Sequence, residues 1–185
     1  MFFSTQMFGQ RINEVTFKQG DETFTISESQ DTIVLSKKPF SIVYFGKQYN
    51  ESKKEFNSAR IAVLDSDENT EDLTIGQRTK HIPFFEPGSG YAATNENEEI
   101  IISNSGHHYL YYENENEKRV NLISRNSDLL ELEWKIFAVY SYQNEKTIPL
   151  SDIEISSLKF VIFIDRNTNQ RIDVDELKIV TVNFK

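Results

Sequence analysis

Cysteine is absent from all 185 residues. No disulfide, thiolate metal site or cysteine nucleophile can therefore be built from this chain. Histidine is nearly as scarce, with only His81, His107 and His108. Adjacent strand residues point to opposite faces, so His107 and His108 do not readily ligate one metal. No metal-ligand spacing joins His81 and Glu86 to either of them. Gly88-Ser89-Gly90 lacks the preceding strand, the following helix and the glycine spacing of a nucleophile elbow. A Ser89–His–Asp triad has no motif behind it, and nothing in the sequence locates a carboxylate pair for glycoside chemistry. The chain thus reads as non-enzymatic, with a hydrolase whose site goes unrecognised as a third alternative. No apolar run approaches the roughly 20 residues that a membrane-spanning helix needs. Positive charge is also in deficit: 20 Lys and Arg stand against 29 Asp and Glu, a formal net charge of −9. Such a surface repels phosphate backbones, which argues against nucleic acid and for cations or a basic protein partner.

What is present favours strands. Fourteen Phe and eight Tyr accompany a single Trp, and hydrophobic residues make up 38% of a chain long enough for one domain. Arg11 to Lys18, Glu22 to Ser27 and Thr32 to Lys37 read as short strands separated by polar turns. Phe40, Ile42 and Tyr44 alternate with Ser41, Val43 and Phe45, the pattern of a strand covered on both faces. Leu130 to Ile136 alternates strictly and runs on to Tyr142, predicting the longest strand with Leu130, Leu132, Trp134 and Ile136 inward. A helix starting at Ser127 or Asp128 is the competing reading. Ile100 to Ser103 and His107 to Tyr112 read as a hairpin around Asn104-Ser105-Gly106. One short helix is expected near 51–64, where Ser52 and Glu55 fit a capping box and Phe56, Ala59 and Val63 share a helical face; Arg60 to Leu64 reads alternatively as a strand. The expected architecture is a mainly β, antiparallel β-sandwich in a single domain over 1–185. Residues 1–10 read either as the tail of an export signal or as a first strand or frayed end.

The most specific stretch runs Asp165-Arg-Asn-Thr-Asn-Gln-Arg-Ile-Asp-Val-Asp-Glu176. It sets Asp165, Asn167, Asn169, Asp173 and Glu176 at positions 1, 3, 5, 9 and 12 of an EF-hand calcium loop. Calcium is a hard cation that takes six to eight oxygens from a flexible shell. Arg171, at position 7, supplies only its backbone carbonyl. Glu176 at the last position can give two oxygens, and Ile172 at position 8 turns an apolar side chain into the core. Gln170 stands where the sharp turn normally takes Gly, so it has to adopt a left-handed backbone at a cost of about 1 kcal/mol. Two of the five side-chain ligands are neutral amides, and Arg166 and Arg171 offset part of the anionic field. The expected affinity is weak, roughly 10⁻⁴ to 10⁻³ M. A polar hairpin loop without an ion is the alternative reading, since Asp and Asn are ordinary turn residues.

The flanks are Leu158 to Ile164 and Leu177 to Phe184, β-branched and aromatic, where a paired EF-hand has helices. Phe163 to Glu176 resembles the strand-flanked, EF-hand-like loops of bacterial surface β-sandwich modules, such as the B-type repeats of Gram-positive adhesins. It follows their pattern, aromatic-x-Asp-x-Asn-x-Asn/Asp-Gly-x-x-Asp-x-x-Glu, except at Gln170. The resemblance is confined to that stretch, and it implies a structural calcium ion; because extracellular calcium is plentiful enough to fill a weak site, a periplasmic, surface or secreted setting is favoured over a cytoplasmic one.

Two further loops stand out. Asp65 to Asp72 is acidic and begins like a second calcium loop, but Asp72 at position 8 and Gly76 at position 12 break the pattern, leaving a solvated loop. Ile82 to Tyr91 carries Phe84, Phe85 and Tyr91 between prolines and glycines. It reads either as a recognition loop or as a plug at one end of the sandwich. The expected function is a calcium-stabilised binding or structural module. The alternative is a small acidic immunity or inhibitor protein that masks a basic toxin or enzyme.

Overall fold

The computed structural model describes residues 14–47, 59–67, 69–82, 85, 91–94, 100–103, 120–127, 129–141 and 146–185. In chain order its strands are β1 (Val15–Gln19), β2 (Glu22–Ile26), β3 (Gln30–Leu35), β4 (Phe40–Lys47) and β5 (Ala59–Asp65). Then come β6 (Tyr91–Thr94), β7 (Ile100–Ser103), β8 (Val120–Asn126), β9 (Leu129–Ile136) and β10 (Ala138–Ser141). The chain closes with β11 (Lys146–Pro149), β12 (Ser157–Ile164) and β13 (Leu177–Phe184). One sheet runs β2-β1-β4-β9-β8 and a second runs β3-β13-β12-β5. Every pairing in them is antiparallel except β3 with β13, which is parallel. Two small hairpins, β6–β7 and β10–β11, complete the described strands.

The mainly β, sandwich-like reading holds, and the pleat explains it. Along β9 every second side chain is buried, so Leu130, Leu132, Trp134 and Ile136 reach the core as expected. They meet Phe17, Phe40 and Tyr44 from their own sheet and Ile61, Phe160, Val180 and Phe184 from the other. Phe160 lies edge-on to Phe17 and Phe40 at centroid distances of 5.6 and 5.9 Å, stitching the layers together.

A second, smaller core lies on the outward face of the four-stranded sheet. Ala62, Leu64, Val161, Phe163 and Ile179 pack there against Ile82, Phe85 and Ile172. The sheet is therefore buried on both faces over 61–64, 160–164 and 178–180, which is why those stretches read as near-continuous apolar runs. The 69–85 segment forms part of this second cover.

Two expectations are corrected, and a third falls partly outside the described residues. The helix expected near 51–64 does not extend over 59–64, which form β5; positions 51–58 lie outside the described residues. Ile61 and Val63 face one core while Ala62 and Leu64 face the other, a period of two that a helix cannot supply. Ile100–Ser103 pairs with Tyr91–Thr94, while the expected partner, 107–112, lies outside the described residues. The strand expected to run through to Tyr142 is interrupted at Phe137 and resumes as β10.

Candidate metal centre

The β12–β13 hairpin delivers the candidate loop. Its register carries Phe163 opposite Leu177, and the Ile164 N–H then donates to the Glu176 carbonyl at 2.8 Å. The turn thus begins and ends inside a sheet covered on both sides. Asp165 and Glu176, the first and last candidate ligands, are each only 2% exposed.

Buried carboxylates need partners, and the loop supplies them from its own backbone. Asp165 Oδ1 accepts the Asn169 N–H at 3.1 Å, and Oδ2 accepts the Gln170 N–H at 2.7 Å. Glu176 Oε1 accepts the Arg166 N–H at 2.9 Å, and Oε2 accepts the Asp173 N–H at 3.1 Å. The Arg166 guanidinium approaches Glu176 Oε1 at 3.6 Å and donates through Nη2 to the Val174 carbonyl at 2.6 Å. Asp173 Oδ2 accepts the side-chain amides of Asn167 and Asn169 at 2.6 and 2.8 Å. The other ends of those amides close the turn. Asn167 Oδ1 accepts the Asn169 N–H at 3.0 Å, and Asn169 Oδ1 accepts the Arg171 N–H at 2.7 Å.

The backbone coils as such a loop requires. Thr168 and Gln170 have φ of +58° and +59°, the left-handed conformation expected for Gln170 from its place in the spacing. Asp175 is left-handed as well, at +66°.

Burial pushes the carboxyls of Asp165 and Glu176 above the usual carboxylate range, because desolvation disfavours the charged form. The backbone N–H bonds pull against that shift in both. At Glu176 the negative charges of Asp165 and Asp173 push the same way as burial. Among the described residues, no three His, Asp or Glu side chains stand close enough together to hold a metal ion as they lie. Backbone N–H groups occupy the carboxylate oxygens of Asp165 and Glu176, and the two Asn amides occupy Asp173 Oδ2.

The donor set nonetheless fits a hard cation. All the candidate ligand groups of Asp165, Asn167, Asn169, Asp173 and Glu176 are oxygens, joined by the Arg171 carbonyl, and the set holds no nitrogen or sulfur donor of the kind zinc prefers. Bringing the amide oxygens onto an ion exchanges the bonds those amides now make, which is consistent with weak affinity.

Of the candidate partner-binding residues, Phe85 is 1% exposed and packs against Phe163 in a tilted arrangement with ring centroids 5.9 Å apart, so its ring lies in the second core on the outward face of the four-stranded sheet. Phe84 lies outside the described residues, and Tyr91 opens β6. His81 is exposed, while His107, His108, Glu86 and Ser89 lie outside the described residues. One residue escaped the sequence reading. Lys178 is buried and donates its ammonium to the Ser27 carbonyl, with burial lowering its basicity. In sequence it is an ordinary alternating strand lysine, and only the packed sheet makes it unusual.

Two measurements follow from this geometry. Gln170→Gly relieves the left-handed strain and is expected to raise stability by about 0.5 to 1 kcal/mol in urea titration; an unchanged or lower midpoint means that the strain is not there. The second concerns pH in chelator-treated protein. A carboxyl raised on folding stabilises fully below its unfolded value, about 4, and loses that contribution as pH rises through the raised folded value. The stability of the natural chain relative to Glu176→Gln is therefore expected to fall as pH rises from about 4 through the raised folded value. A difference that stays flat over that range counts against the burial argument.

No family model, curated protein or solved structure matches this chain.

Proposed function

We propose that the protein is a non-enzymatic β-sandwich module whose closing hairpin is pinned by a structural calcium ion. The side chains of Asp165, Asn167, Asn169, Asp173 and Glu176 and the Arg171 carbonyl are its ligands. The observation that most supports this reading is the pairing of two buried carboxylates, Asp165 and Glu176, with a left-handed Gln170 between them. A loop with no cation to hold gains little from burying acids at both ends, since each carries a desolvation cost. Calcium, when bound, supplies the positive charge that this cluster otherwise draws from N–H dipoles and Arg166. The affinity range suits a setting rich in calcium, which agrees with the resemblance to bacterial surface modules. No helix among the described residues is long and apolar enough to cross a membrane.

A second reading, a masking protein for a basic partner, draws on a different feature. Asp31, Asp67 and Glu71 wall a hollow of about 640 Å³ together with Gln30, Asn69 and Lys159 on the outward side of the four-stranded sheet. A partner's lysine or arginine suits such a hollow. Capture of one basic protein that is lost in Asp67→Asn/Glu71→Gln selects this reading; capture unaffected by that double variant removes it.

The calcium reading is tested by thermal melting. With a dissociation constant in the expected range, 10 mM calcium is expected to raise the melting temperature by about 3 to 10 °C over chelator. Asp165→Ala with Glu176→Ala is expected to abolish that shift. A melt indifferent to calcium and chelator, together with a silent calorimetric titration, removes the reading.

A further inference from the structure

The candidate loop does not stand alone. A seam of hydrogen bonds joins it to residues 76–79, a segment with no ligand in the calcium pattern. The Gly76 N–H donates to the Ile172 carbonyl at 2.7 Å, and the Ile172 N–H donates to the Gln77 carbonyl at 3.0 Å. The Thr79 N–H donates to the Gln170 carbonyl at 3.0 Å, and the Thr79 hydroxyl reaches the same carbonyl at 3.4 Å. Arg171 adds a side-chain bond from Nη1 to the Gly76 carbonyl at 2.9 Å. Arg78 and Arg171 sit directly opposite each other in an antiparallel bridge. Like charges in that position repel, so the seam holds despite its charges.

The placement is selective. Gln170, Arg171 and Ile172 are loop positions 6, 7 and 8, and the seam grips the peptide groups on either side of the Arg171 carbonyl. That carbonyl is the only main-chain ligand in the pattern. It shares one peptide plane with the Ile172 N–H, which the Gln77 carbonyl holds, while Thr79 and Gly76 hold the carbonyls of the preceding and following planes. The same segment is anchored beyond the seam, since Ile82 and Phe85 pack with Ile172 and Phe163, and Arg60 Nη1 donates to the Phe85 carbonyl at 2.7 Å.

We infer that the 76–82 segment is the second half of the calcium site: it orients the Arg171 carbonyl, and the bound ion in turn holds the segment down. This rests on the calcium reading proposed above. Thr79 is thus a positioning residue for the ion, although it touches no ligand group of its own. The coupling is reciprocal, because whatever the segment contributes to ion affinity the ion returns to the segment. The second core, with Phe85 in it, then tightens or loosens with calcium.

The test pairs hydrogen exchange with titration. Amide exchange of Gly76, Thr79 and Ile172 is followed by NMR in 10 mM calcium and in chelator, with titration calorimetry of calcium into Thr79→Pro and Thr79→Val. Proline suits this position, because Arg78 before it is extended at φ −80° and ψ 132° and Thr79 opens a short 3-10 turn. It removes the N–H alone from the backbone bonds, while valine keeps it. The inference expects calcium to slow exchange at the three seam amides by fivefold or more. It also expects Thr79→Pro to bind calcium about fivefold more weakly, the worth of roughly one peptide hydrogen bond, with Thr79→Val close to the natural chain. Normal calcium affinity in Thr79→Pro, or seam exchange that ignores calcium, overturns the inference and leaves the calcium reading standing. Absence of any calcium binding to the natural chain overturns both.

Discussion

The constraint on which the rest depends is that the four-stranded sheet is buried on both faces at its β12–β13 end, over 160–164 and 178–180. Most antiparallel sheets leave one face wet, so their turns emerge into water. Here β12 leaves a dry environment at Ile164, and β13 re-enters one by way of half-buried Leu177 and buried Lys178. The turn between them therefore begins and ends where an unpaired polar group is costly. Asp165 and Glu176 answer that by receiving four backbone N–H bonds between them. The loop is compact because its ends are buried, and its carboxylates are awkward for the same reason.

That awkwardness links packing to chemistry. Desolvation holds both carboxyls above the usual range, the neighbouring acids add to the shift at Glu176, and the backbone pays back only part of it. A divalent cation relieves all of these together, which neither Arg166 nor the Asn amides do. The geometry also explains why affinity is expected to be weak. Asn167 and Asn169 turn their N–H groups toward Asp173 and use their oxygens to close the turn, so an ion has to displace existing bonds. The seam from 76–79 adds rigidity at the Arg171 carbonyl, the one main-chain ligand of the proposed site.

Much of the fold was legible where one face alone decides. β9 alternates because its other face is not core, and its four inward residues follow from the period of two. β5 was ambiguous for the opposite reason. Ile61, Ala62, Val63 and Leu64 are all buried, two on each side, and an unbroken apolar run of that length carries no period to separate strand from helix. The left-handed Gln170 was legible because the ligand spacing demands a sharp turn there, whatever residue occupies it. The burial of Phe85 was not: an aromatic between prolines and glycines looks the same whether it meets a partner or plugs a second core. Nor was the parallel pairing of β3 with β13, which joins segments separated by most of the chain.

By itself the sequence determined the order of oxygen-bearing side chains in 165–176, the strand character of their flanks and the acidic balance of the whole. These are local or additive properties, written in residue type and spacing. Only the tertiary structure decided that the ends of the loop are dry, that residues 76–82 clasp its middle and that Lys178 lies buried beside it. Desolvation and long-range hydrogen bonds depend on which distant segments pack together, and no short stretch of sequence contains that information.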